Sequence, residues 1–119
     1  MTDSSCWIDL QDDEELVNRV HTSCQICGES ACVDIGNRYL WISDLREWAA
    51  QKELPIEYPS LGLIAVRITV NKSQLLGFLE DMLGPAGIKP ELRRIDTIRA
   101  LIREYGKENC RFRIFADEY

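Results

Sequence analysis

Residues 21 to 32, HTSCQICGESAC, hold the only histidine and three of the five cysteines of this 119-residue chain. Cys24 and Cys27 are separated by two residues. That gap lets two thiolates reach one ion at about 2.3 Å. Gly28 follows directly, where a tight turn can aim backbone amides at the sulfurs. His21 and Cys32 complete a set of four, and thiolate with imidazole suits zinc better than calcium or magnesium. A full zinc signature, however, has two well-separated ligand pairs, and here there is one, with four ligands crowded into 12 residues. Reduced, packed thiols with a surface histidine account for the same residues. A redox pair of the thioredoxin type sits after a strand and opens a helix, which lowers the thiol pKa. This pair instead ends a helix, and Glu29 opposes thiolate formation. The stretch therefore calls for no cofactor beyond, at most, one structural zinc.

Other chemistry finds little footing. One histidine leaves few acid–base designs, and a His21–Cys24 dyad on a helix end has no oxyanion hole beside it. The sequence GPAGIKP lacks the spacing of a phosphate loop and reads as a connector between helices. A zinc- or thiol-dependent enzyme built on residues 21 to 32 is the alternative to a non-catalytic chain. Arg93, Arg94, Arg99 and Arg103 populate the polar side of one predicted helix. Arg99 and Arg103, with Tyr39 and Trp41, are the candidate partner-binding residues, since exposed arginine and aromatic side chains anchor protein interfaces. The formal net charge of −6 repels phosphate backbones and disfavours nucleic acid. Charge is uneven: residues 1–84 carry 6 Lys and Arg against 14 Asp and Glu, and residues 85–113 carry 8 against 4. A local basic face thus remains open on an acidic protein.

These residues need elements to position them. CWIDL reads as a short first strand. Asp12 and Glu15 are spaced as a capping box for a helix whose apolar face is Leu16, Val17 and Val20. ACVDIGNRYLWIS reads as a β-hairpin turning at Gly36-Asn37, with Val33 opposite Leu40 and Cys32 opposite Trp41. That register puts Trp41 on the non-core face with Tyr39 and Asp34. Ser43 caps the next helix, which carries Leu45, Trp48 and Ala49 on its apolar face. LIAVRITV alternates as a strand, and Asn71 and Gln74 cap the helix after it. Leu92, Ile95, Ile98, Leu101, Ile102 and Tyr105 give the long helix one apolar face. CRFRIFA closes the chain as an edge strand that could pair with a second copy, with Arg111 and Arg113 turned from its apolar side.

The pattern predicts one domain over residues 1–119: an α+β fold with a mostly antiparallel sheet covered by about four helices. Hydrophobic residues at 45% and charged residues at 29% fit a globular chain, and no apolar run is long enough to span a membrane. The polar, acidic start lacks a signal-peptide pattern, and five cysteines is an odd number, so the expected compartment is the cytoplasm. The expected work is binding a protein partner as an adaptor, inhibitor or immunity-type module.

Zinc held at residues 21 to 32 would pin the end of the first helix to the start of the hairpin, and it needs deprotonated thiols. Its expected signs are binding that weakens as pH falls and a melting temperature lowered by chelator. Less than about a tenth of an equivalent of zinc in protein purified without chelator or affinity tag, with an unchanged melting temperature for Cys24→Ser, would leave only packed thiols.

Overall fold

Alternating burial in the strands divides the sheet into two faces. The structure, a computed structural model, describes residues 4–24, 31–38, 41–58, 65–83 and 93–118. In chain order these form β1 (Ser4–Asp9), α1 (Glu14–Cys24), β2 (Cys32–Arg38), α2 (Trp41–Gln51), β3 (Ala65–Val70), α3 (Lys72–Leu83), α4 (Arg93–Tyr105) and β4 (Phe112–Glu118). The strands make one sheet in the order β2-β1-β4-β3, and every neighbouring pair is antiparallel. The predicted α+β domain is the one observed.

One face of the sheet is core. Cys6 and Ile8 of β1, Val33 and Ile35 of β2, Val66, Ile68 and Val70 of β3, and Phe112, Ile114 and Ala116 of β4 are all buried there. Every helix adds to the same cluster: Leu16 and Val20, Leu45 and Trp48, Leu75 and Phe78, Ile98 and Ile102. Each such Leu, Ile or Phe contributes about 1.5–3 kcal/mol by leaving water. Trp48 meets Phe78 edge-on, with centroids 5.2 Å apart. Its indole N–H donates to Asp81 Oδ2 at 3.1 Å, so this buried ring leaves no donor unpaired.

The chain ends of the helices show why they start and stop where they do. At α3 the predicted capping box forms in both directions: Gln74 N–H donates to Asn71 Oδ1 at 2.8 Å, and Asn71 N–H to Gln74 Oε1 at 2.9 Å. Just past α2, Glu53 has a left-handed φ of 56°. Leu54 N–H then reaches Ala49 O at 2.9 Å and Glu53 N–H reaches Ala50 O at 3.2 Å, the paired bonds of a Schellman ending. This turn sends residues 54–57 back along β3, where Glu57 and Arg67 exchange both backbone bonds.

Several expectations are corrected. No hairpin turns at Gly36-Asn37; β2 runs through both residues and pairs with β1, Asn37 opposite Ser5. Between the pairs Ser5–Asn37 and Trp7–Asp34 lie one residue of β1 and two of β2. Gly36 is therefore part of a β-bulge, another place where glycine serves a strand. β1 outcompetes the local turn because it offers Ile8, fully buried against Val33. Trp41 opens α2 instead of closing a strand, which moves that helix start two residues ahead of Ser43. β4 is not an edge: it lies between β1 and β3.

The cap of α1 also moves by one residue. Asp13, not Asp12, receives Leu16 N–H on Oδ1 at 3.2 Å, and its Oδ2 receives Lys107 N–H at 2.8 Å. Asp12 turns the other way: its carboxylate accepts Arg111 N–H at 2.8 Å, and its carbonyl accepts the Cys110 thiol at 3.4 Å. Both acids thus hold α1 to the loop between α4 and β4. Asp13 is 1% exposed, whereas Asp12 stands in solvent. Losing Asp13 removes a buried cap and strands the part-buried Lys107 amide, so Asp13→Ala is expected to cost about 2–4 kcal/mol and Asp12→Ala about 1 kcal/mol. Denaturant unfolding of the two variants measures both, and equal losses would show that burial of Asp13 adds nothing.

Candidate functional site

The face of the sheet away from the core is built by the same alternation. The register aligns its side chains in rows across the four strands. One row runs Asp34, Trp7, Phe115, Arg67, and the next runs Cys32, Asp9, Arg113, Thr69. Trp7 and Phe115 come from the two ends of the chain and stack with centroids 5.6 Å apart and planes inclined by 29°. Each is half-buried, so part of both rings faces solvent. A groove of about 460 Å³ opens here, lined by Trp7, Asp9, Cys32, Arg67, Arg113 and Phe115.

Charges frame the aromatic pair. Arg67 Nη2 donates to Glu57 Oε2 at 2.9 Å, and Thr69 Oγ1 lies 3.5 Å from Glu57 Oε1. Arg113 Nη1 pairs with Asp9 Oδ2 at 3.6 Å, while Asp9 Oδ1 accepts Gln11 N–H at 2.9 Å. The hydrogen bond from Arg67 holds the Glu57 carboxyl below its usual range, helped by the charges of Arg67 and Arg113. Further along β4, burial raises Asp117, whose Oδ1 is enclosed without a partner among the described residues.

Of the residues singled out from sequence, Cys32 alone is among the described residues that line this groove. His21 and Cys24 lie in the last turn of α1, and Cys32 opens β2, so the stretch does span that junction. Cys27 and Tyr39 lie outside the described residues, as do the side chains of His21, Cys24 and Trp41. Among the described residues, no group of three or more His, Cys, Asp or Glu side chains is placed to hold a metal ion. Cys32 is half-buried and lines the groove. Burial pushes the Cys6 thiol far up, with the Asp34 charge adding to it. Burial likewise raises Cys110, followed by the charges of Asp13 and Asp12. Both thiols thus stay protonated at neutral pH and are poor nucleophiles.

Arg99 is buried at 9% exposure. Its guanidinium reaches Leu79 O at 3.4 Å, Asp96 at 3.4 Å and Glu80 at 3.8 Å, which ties α4 to α3. Arg103 remains exposed on α4. A second, acidic depression of about 290 Å³ lies between α2 and α3, lined by Asp44, Glu47, Trp48, Gln51, Asp81 and Met82. Asp81 is already engaged there by Trp48 and by Lys52 at 3.5 Å.

Sequence reasoning missed Trp7 and Phe115 as a pair. Alternation in CWIDL and CRFRIFA does turn each away from its core neighbours, but only β1–β4 pairing brings them together. No family model, curated protein or solved structure matches the chain.

Glu57 carries a pH dependence of known sign. Its folded-state pKa lies below the unfolded value, so its pairing with Arg67 contributes at neutral pH and is lost as pH falls through the lowered value. In a carboxyl NMR titration Glu57 should titrate below ordinary glutamates, and Arg67→Gln should return it toward them. An unmoved Glu57 in that variant would disprove the pairing.

Proposed function

We propose that this chain is a non-catalytic protein-interaction module, of the adaptor, inhibitor or immunity type, and that it engages its protein partner on the open face of the sheet. The observation that carries this reading is the solvent-facing Trp7–Phe115 pair at the centre of that face, flanked by Arg67 and Arg113. Tryptophan and arginine are the side chains that most often anchor protein interfaces. Aromatic area of this kind stays in water at a free-energy cost, which a partner's apolar surface would recover.

The same face argues against a nucleic acid. Stacked rings and arginines do suit single strands. Among the described residues, however, Asp9, Asp34, Asp117 and Glu57 lie on the same side or its rim with Arg67 and Arg113. A phosphate chain, charged at every unit, would have to cross these carboxylates as well as the two arginines. Among the described residues the groove's lining holds one carboxylate, Asp9, which accepts Gln11 N–H and lies 3.6 Å from Arg113, and one thiol, Cys32.

The test is to identify the partner by cross-linking in the native cell, then to rebuild the complex from purified proteins. Trp7→Ala should weaken it about thirtyfold, the equivalent of a 2 kcal/mol hot spot. Arg113→Ala, at an exposed position with no share in the core, should also weaken it, whereas Lys52→Ala on the helical side should leave it unchanged. Undiminished binding by Trp7→Ala and Arg113→Ala, or turnover of a small molecule abolished by one substitution, would defeat the proposal.

A further inference from the structure

We infer that the groove takes an acidic side chain of the protein partner together with an apolar or aromatic neighbour of that residue; this rests on the partner binding at the open face. Donors outnumber free acceptors in the groove. Asp9 is the only carboxylate in its lining among the described residues; one of its oxygens accepts Gln11 N–H and the other faces Arg113 at 3.6 Å as an ion pair. Arg67 uses Nη2 on Glu57, but its Nε is buried and meets no acceptor among the described residues. Buried N–H groups in folded proteins nearly always have an acceptor, so an unpaired one beside a groove asks for an incoming oxygen.

Arg113 makes the same demand. Its side chain is 47% exposed, and its 3.6 Å approach to Asp9 is too long for a hydrogen bond. Thr69 of β3 stands opposite Arg113, and Arg67 stands opposite Phe115. The two guanidinium groups are thus diagonal neighbours on β3 and β4. A planar carboxylate is the acceptor whose geometry matches such groups. It would sit on the β3 side, about two strand spacings, or roughly 10 Å, from the strand that carries Asp9. Trp7 and Phe115 lie in the adjoining row and offer ring surface to the neighbouring apolar side chain. Asp117, whose Oδ1 is likewise unpaired among the described residues, is outside the lining and does not compete for the donors.

The probes are a capped tetrapeptide with a central Glu-Phe, its Gln-Phe counterpart, and oligothymidylate, each titrated into the full chain and followed by NMR. The Trp7 indole signal is assigned with Trp7→Phe. The Glu-Phe peptide should shift the Trp7 indole and Arg67 Nε signals. Gln-Phe, and Glu-Phe with the Arg113→Gln variant, should need at least about a tenfold higher concentration. Equal binding of Gln-Phe, no shift at Trp7 and Arg67, shifts confined to another face, or tighter binding of oligothymidylate would each overturn the inference. A Trp7→Ala variant that loses the native partner while the peptide leaves Trp7 unmoved overturns only the acidic-residue inference. A Trp7→Ala variant that keeps the partner removes the binding face as a whole.

Discussion

The buried carboxylate of Asp13 joins two parts of the chain that lie far apart in sequence. One oxygen caps α1 through Leu16 N–H, and the other holds Lys107 N–H. Its neighbour Asp12 takes Arg111 N–H, one residue before β4 begins. β1 ends at Asp9, just ahead of this clamp. The two acids therefore fix where β1 leaves off and where β4 starts, and so support the register in which Ile8 meets Ile114 and Trp7 meets Phe115. A slip of one residue would exchange core for open face along a whole strand. Arg19 over the Tyr105 ring, 4.1 Å from its centroid, reinforces the same contact of α1 with α4.

With the register held, the sheet has two different surfaces. Helices from both halves of the chain seal one, where Cys6, Ile8, Ile68, Phe112 and Ile114 lose nearly all contact with water. The other keeps a stacked aromatic pair among paired and partly paired charges. Burial explains the thiols as well: Cys6 and Cys110 are packing residues whose ionisation is suppressed, whereas Cys32 sits at the groove. The return of residues 54–57 along β3, set up by the left-handed Glu53, brings the Glu57 carboxylate to Arg67. That contact occupies one end of the Arg67 guanidinium and leaves its buried Nε without an acceptor among the described residues.

Local chemistry was legible wherever a few neighbouring residues were enough to decide it. The Asn71–Gln74 capping box needs only residues three apart, and it forms as spaced. Alternation in residues 65–70 and 112–117 names the buried side of β3 and β4 without reference to their partners. The apolar stripe of α4 likewise places Ile95, Ile98 and Ile102 in the core. Local reasoning failed where a distant segment competed. Gly36-Asn37 has the composition of a tight turn, yet β1 pairs through it and turns Gly36 into part of a bulge. Arg99 has the spacing of a solvent-facing residue, yet α3 packs close enough to enclose it and offers Leu79 O.

The sequence by itself determined the α+β class, the helix faces and which side of each strand is apolar, because short-range periodicity and capping depend on residues close along the chain. Only the tertiary structure decided that β1 and β4 lie side by side at the centre of the sheet, more than a hundred residues apart in sequence. Strand order depends on which of several apolar edges bury best together, and on distant partners such as the one the buried Asp13 carboxylate finds in Lys107 N–H. The aromatic pair and its two arginines arise from that order, since no short stretch of the chain contains them together.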